Sequence, residues 1–212
     1  MSEGRNEAQR AEARPHAVIV AGPNGAGKST LAPRLLAEEF DVSLYVNANV
    51  IAQGLAGFDP GSVAVRAGRI MLERIAELHR ERASFAVEST ISGNSLNAFV
   101  QRLKSSGYQT HLVYLWLPDP GIAVDRVRAR VAHGGHSIPE GDIRRRFYRS
   151  VANFDRVYRR TVDFWRVYHA VTAPADPEPR LIAHGEGDRV IDIVDADAWA
   201  ELQRQAEEGG SG

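Results

Sequence analysis

The stretch GPNGAGKST, Gly22 to Thr30, follows the apolar run HAVIVA (16–21) and opens a segment of helical composition. Gly22, Gly27, Lys28 and Ser29 fit the pattern Gly-x-x-x-x-Gly-Lys-Ser/Thr, placed between strand and helix as its mechanism requires. Glycines let successive backbone N–H groups curl around a β-phosphate, and the helix N-terminus adds its positive dipole. Gly22, Pro23, Asn24, Gly25, Ala26, Gly27, Lys28, Ser29 and Thr30 are therefore the expected cradle for ATP or GTP. Lys28 is expected at the β- and γ-phosphates, and the Ser29 hydroxyl on Mg²⁺.

Loops of this spelling are common in transporter-driving ATPases and also occur in small kinases. The transporter reading fails on what is missing. It needs a serine-glycine-glycine-glutamine signature ahead of an acidic strand ending in Asp-Glu. The nearest candidate, TISGNS (90–95), follows the acidic strand FAVES instead, and no second apolar strand ends in adjacent carboxylates.

Composition narrows the field further. A chain of 212 residues with 43% hydrophobic content fills one well-buried domain. The formal charge of −1 gives no global pull toward nucleic acid or membrane. Without cysteine there are no disulfides or thiolate metal sites. The opening MSEGRNEAQRAEARPH is polar, with no apolar core of a secretory signal, and no apolar run reaches membrane-spanning length. A cytoplasmic protein is the expectation. All but two of the 26 basic residues are arginine, which sets Lys28 apart.

Along the chain, LYVNA, FAVEST, HLVYLWL and FWRVYHA read as further strands, alternating with segments of helical period. That alternation predicts an α/β fold with a five-stranded parallel sheet of order 2-3-1-4-5 and helices on both faces. RLIAHGEGDRVIDI predicts a small hairpin around Gly185–Asp188, followed by a helix from about Asp195. Residues 1–15 and 207–212 read as disordered tails around a single domain, 16–206.

Several stretches in fixed order resemble the zeta-toxin-like P-loop kinases: VNANVIA, the AGR at 67–69, FAVESTISG, the GY at 107–108 and RVRARVAHGGHSIPEGDIRRRFYRS. The resemblance spans about residues 16–185 and is nearest to the short bacterial members. It implies a kinase transferring phosphate from ATP to a UDP-sugar such as UDP-N-acetylglucosamine, in some members as a toxin held by a protein antitoxin. It places an adenine- or phosphate-contacting arginine near Arg126 or Arg130 and another among Arg144–Arg146. It also implies acceptor binding by Glu88 with Ser89 and Thr90.

The residues support these roles on their own chemistry. From Arg126 to Arg160 there are ten arginines against three acids. Arg126 and Arg130 lie four apart on one helical face, Arg145 and Arg149 on another, joined by HGGHSIPEGD. This predicts a lid over about 126–150, with Arg130 and Arg145 as catalytic arginines, Gly134–Gly135 as a mobile turn, and Ser137-x-x-Glu140 as a capping box. A solvated basic face or an RNA contact is the alternative, but no aromatic stripe accompanies the charges. His133 and His136 lack partners at ligand spacing and read as lid-loop residues. Glu88 ends an apolar strand at the carboxyl edge of the sheet, where ligands gather. Asn47 and Arg69 are further candidates for holding the acceptor.

Two positions depart from the family's pattern. Asn47-Ala48-Asn49 stands where relatives read Asn-Ala-Asp, whose aspartate is their proposed general base. Tyr168-His169-Ala170 stands where they often show Tyr-Asp-Asn. Asn49 can donate a hydrogen bond but cannot take a proton at neutral pH. It could instead cap a helix starting near Val50. The runner-up function is an ATP-binding pseudokinase or a regulatory ATPase without a sugar acceptor.

Overall fold

The computed structural model of the chain describes residues 14–57, 60–132, 137–171 and 178–209. His133, His136 and the Gly134–Gly135 turn, with most of the two expected tails, lie outside the described residues.

Strand β1 (His16–Ala21) is the hub of the sheet. Val18, Val20 and Ala21 have no exposed surface, because helices cover both faces of the sheet here. β1 runs parallel between β3 (Phe85–Ser89) and β4 (Gln109–Trp116), with β2 (Tyr45–Val46) outside β3 and β5 (Phe164–His169) outside β4. The parallel part therefore has the order 2-3-1-4-5. Its register sets Val20 opposite Glu88 and Ala21 opposite Ser89, so the acidic strand ends beside the glycine-rich turn.

The sheet has seven strands rather than the expected five. β6 (Arg180–Glu186) and β7 (Arg189–Ile193) form the hairpin, and β6 pairs antiparallel with β5, extending the same sheet. The open edge of β5 is what the hairpin satisfies, its backbone groups needing partners once its inner face is buried.

Helix α1 (Lys28–Phe40) follows the turn, then α2 (Ala48–Ala56), α3 (Ala64–Arg80) and α4 (Ser95–Ser105) cover the β2–β3 side and its neighbours. Beyond β4 come α5 (Pro120–Ala132) and α6 (Glu140–Asn153), the latter running into a π-turn (Phe154–Tyr158) and a last turn at Arg159–Thr161. The final helix, α7 (Ala196–Glu208), is capped by the Asp195 side chain and reaches into the stretch read as a tail. It docks through Trp199, stacked on Trp165 at 5.7 Å, and through Gln205, which accepts from the Trp116 indole at 3.0 Å.

Two local expectations are corrected. α6 begins directly after Pro139 with no side-chain cap, so Ser137 forms no capping box. The Glu140 carboxylate instead takes Arg128 and Arg144 at 2.7 and 2.9 Å. Likewise α2 starts at Ala48, not near Val50, and its cap is Asn47, whose Oδ1 accepts from the Asn49 N–H at 2.8 Å. That early helix start is why β2 is only two residues long.

Candidate active site

The turn between β1 and α1 depends on glycine at two points. Gly22 has φ +143°, and a Cβ there would lie 2.4 Å from the Leu115 carbonyl oxygen of β4. Gly27 caps α1 in the left-handed region at φ +84°, freeing the first N–H groups of the helix. Lys28 folds back into the turn and is buried. Its ammonium donates to the carbonyls of Gly22 at 2.8 Å and Pro23 at 2.9 Å. Asn24 Oδ1 is buried with no hydrogen-bond partner among the described residues, an acceptor awaiting a donor.

Burial lowers the Lys28 pKa to about 8; the nearby Glu88 carboxylate works against this and Arg130 adds to it. Arg130, exposed on α5, is thus electrostatically coupled to the phosphate-loop lysine. A pH dependence follows. The unfolded chain keeps this proton to the ordinary value of 10.5, so the ligand-free fold gains stability as pH rises from about 8 toward 10.5. Nucleotide affinity should move the opposite way, because phosphates hold the proton that the free loop loses. Calorimetric titration should show ATP binding weaker by roughly tenfold at pH 9.5 than at pH 7, with proton uptake near pH 8.5. Equal affinities at the two pH values would show that the Lys28 charge does not meet the nucleotide.

Glu88 is the centre of a second cluster. Its Oε2 accepts from Ser29 Oγ at 2.6 Å, from Asn47 Nδ2 at 2.8 Å and, in a short bond, from the Tyr45 hydroxyl. Burial, reinforced by this carboxylate, pushes the Tyr45 phenol well above its ordinary value, so Tyr45 stays a donor. The expected Mg²⁺ ligand, Ser29, and the expected acceptor residues Asn47 and Glu88 are thereby in direct contact. A hard divalent cation takes oxygen ligands and keeps several waters. A hydroxyl and a carboxylate 2.6 Å apart beside a phosphate cradle fit that requirement. Tyr45 was missed from the sequence, because only the fold brings its hydroxyl to Glu88.

The other candidates are placed less centrally. Ser89 Oγ accepts from the Ile91 N–H at 3.0 Å, and Thr90 Oγ1 bonds Ser92 Oγ at 2.9 Å, so both side chains shape their own loop. Asn49 is exposed in the first turn of α2. Arg69 is exposed on α3, and no hydrogen bond or ion pair among the described residues joins it to the Glu88 cluster. Arg145 pairs with Asp142 at 2.8 Å and Arg144 with Glu140 at 2.9 Å, surface contacts of small energetic weight.

Arg126 is the structural surprise among the arginines. It is half-buried, and its guanidinium donates to the carbonyls of Gly25 at 3.2 Å and Ala170 at 3.1 Å, tying the phosphate loop to the end of β5. With Ala26, Gly27, Thr30 and Leu115 it lines a cavity of about 360 Å³. Ala170 takes part through its backbone, so the alanine found where relatives often carry Asn costs this contact nothing. A separate cavity of about 290 Å³, among His16, His111 and Phe164, opens at the starting ends of the strands, away from the phosphate loop. No group of three or more His, Asp or Glu among the described residues is arranged to hold a metal ion. No helix among them is long and apolar enough to cross a membrane.

Residues 18–151 match the family model described as AAA domain. The chain belongs to that AAA domain family. An uncharacterized protein of Haemophilus influenzae is 31% identical over 131 residues, 62% of this chain and 91% of that one. Among solved structures, the AvrRxo1-ORF1:-ORF2 complex with ATP superposes at a TM-score of 0.69 with 16% identity. That match covers 92% of this chain and 65% of the other, so this AAA domain protein spans less than two thirds of that relative's length. The PezAT chromosomal toxin-antitoxin system of Streptococcus pneumoniae superposes at 0.61, with 15% identity, 98% of this chain and 90% of the other. The fold is the kinase-like P-loop fold that the zeta-toxin resemblance implies.

Proposed function

We propose that this chain is an ATP-dependent kinase acting with Mg²⁺ on the hydroxyl of a small acceptor, a UDP-sugar such as UDP-N-acetylglucosamine. The observation that carries the reading is the convergence of Ser29, Tyr45 and Asn47 on one oxygen of Glu88, directly beside the loop holding Lys28. A carboxylate gathered there with three donors, at the carboxyl edge of the sheet, can orient an acceptor hydroxyl as well as a Mg²⁺-bound water.

Phosphoryl transfer asks for positioning and charge compensation more than covalent help. The loop N–H groups and Lys28 hold the β- and γ-phosphates, Lys28 leaving its two carbonyl partners to do so. The base lies in the cavity beside Arg126, whose planar guanidinium forms one wall. Arg130, on the same helix, reaches the transferring phosphate, and Arg145 comes in from α6 after leaving Asp142. Ser29, and Glu88 through a water, would hold Mg²⁺, which would supply charge compensation for the phosphates. Glu88 and Asn47, with Ser89 and Thr90, orient the acceptor hydroxyl for in-line attack.

The likeness to the PezAT toxin-antitoxin system motivates a protein antitoxin as partner and a cytoplasmic setting, where ATP and UDP-sugars occur. One observation favours a second reading, a nucleotide-binding regulator: position 49 carries an amide where a proton acceptor is expected. Incubation with ATP·Mg²⁺ and a pool of UDP-sugars and nucleosides, followed by mass spectrometry, separates the two. A phosphate-sized mass increase on one pool member is expected. Tight ATP binding with no product would favour the regulator, and steady ATP loss with no product an ATPase.

A further inference from the structure

Ser89 to Gly93, the segment after Glu88, is held by three side chains from a single helix. Ser150 Oγ donates to the Thr90 carbonyl at 2.6 Å, Asn153 Nδ2 to the Ile91 carbonyl at 2.7 Å, and the Tyr158 hydroxyl to the Gly93 carbonyl at 2.8 Å. Ser150 and Tyr158 are fully buried. Since Ser150 gives its proton to Thr90, it accepts in turn from the buried Tyr114 hydroxyl at 3.0 Å. Apart from this link to Tyr114, all these hydrogen bonds go to the segment and none to the phosphate loop.

The segment they hold is not relaxed. Ile91 is β-branched, 1% exposed and at φ +46°, in the left-handed region that such residues avoid. A conformation of this kind persists only where its surroundings over-determine it. Here its N–H is tied to Ser89 Oγ and its carbonyl to Asn153. The helix is also adapted to the task. On an unbroken α-helix, Tyr158 would stand about 140° round the axis from Asn153. The wider π-turn at Phe154–Tyr158 returns it to the same side. Ile143, Phe147 and Val151 anchor α6 in the core, so the three donors start from a fixed base.

We propose that Ser150, Asn153 and Tyr158 are positioning residues for the acceptor. By clamping the backbone at Thr90, Ile91 and Gly93 they present Ser89 and Thr90 beside Glu88 in a strained, preformed arrangement. The inference rests on the kinase reading above, because it requires an acceptor bound by this segment. It separates the two substrates: the clamp governs acceptor binding and leaves nucleotide binding alone.

The test compares the wild-type chain with Tyr158→Phe, which removes one oxygen and keeps the ring in the core, and with Asn153→Ala. UDP-N-acetylglucosamine is assayed first, then the remaining UDP-sugars and nucleosides of the pool, with ATP hydrolysis measured in parallel without acceptor. The acceptor KM should rise roughly tenfold in each variant, while ATP KM and acceptor-free hydrolysis stay within about twofold. A purely structural role would instead move both KM values together with the melting temperature. An unchanged acceptor KM, or equal changes in both, overturns the clamp while leaving the kinase reading in place. Should Asn153→Ala melt without cooperativity, Tyr158→Phe carries the comparison alone. A wild-type chain that phosphorylates no pool member overturns the kinase reading and this inference with it, before any variant is compared.

Discussion

Lys28→Ala is expected to abolish measurable phosphate transfer and to weaken ATP binding, while the protein stays folded. The ammonium is the one cation built into the phosphate loop itself, and loss of a single preorganised charge-stabilising donor typically costs about 10²–10³ in rate. The fold should tolerate the change for a reason visible in the loop. The burial that lowers the Lys28 pKa to about 8 means that the charge is held at some cost in the ligand-free protein. Removing it relieves that cost, while the freed carbonyls of Gly22 and Pro23 lose two hydrogen bonds. The two effects oppose each other, so the melting temperature should shift by only a few degrees. Calorimetric ATP titration and a turnover assay on the same preparation decide the matter. Unchanged affinity together with unchanged turnover would remove the phosphate-loop assignment.

The phosphate loop and the parallel strand order were legible in the sequence because both are written locally. A glycine-rich turn between an apolar strand and a helix has few other uses, and fully buried strands spell themselves as unbroken apolar runs. Glu88 was legible for the same reason, as the one acid ending such a run. What escaped was decided by contacts between distant segments. Nothing around Tyr45 announces that its hydroxyl will meet Glu88, 43 positions away. The Arg126 bond to Ala170 likewise joins a helix to the far end of a strand. The hairpin was recognised, but its pairing with β5 was not, since alternation tells which face is buried and not which edge is joined. At Ser137 the four-residue spacing of a capping box was present without the backbone to use it, because Pro139 set the helix start.

The segment at Asn47–Asn49 shows how the structure sharpens a question posed by the sequence. Two explanations stood for Asn49: a general base reduced to an amide, or a helix cap for which Asn and Asp serve equally. The cap is Asn47, which at the same time donates to Glu88. Asn49 lies one step inside the helix, its side chain exposed and with no capping task. Asn49→Asp is therefore expected to raise phosphate transfer by about two orders of magnitude, the lower end of what a general base contributes. A loose transition state does not require early loss of the acceptor's proton, which is why the chain as it stands should transfer phosphate slowly rather than not at all. The substitution should also do no harm to the fold. A carboxylate in the first turn of α2 interacts favourably with the helix dipole, by about 0.3–1 kcal/mol, so the melting temperature should hold or rise slightly. Nucleotide affinity should stay unchanged, because the substitution leaves untouched the turn at Gly22–Thr30 and the arginines proposed to hold the phosphates. The measurement is the transfer rate of both proteins at saturating ATP, with an acceptor shown to bind each of them. A more stable Asn49→Asp protein that is no faster would mean that the new carboxylate met only the helix dipole, and position 49 would have no part in proton transfer.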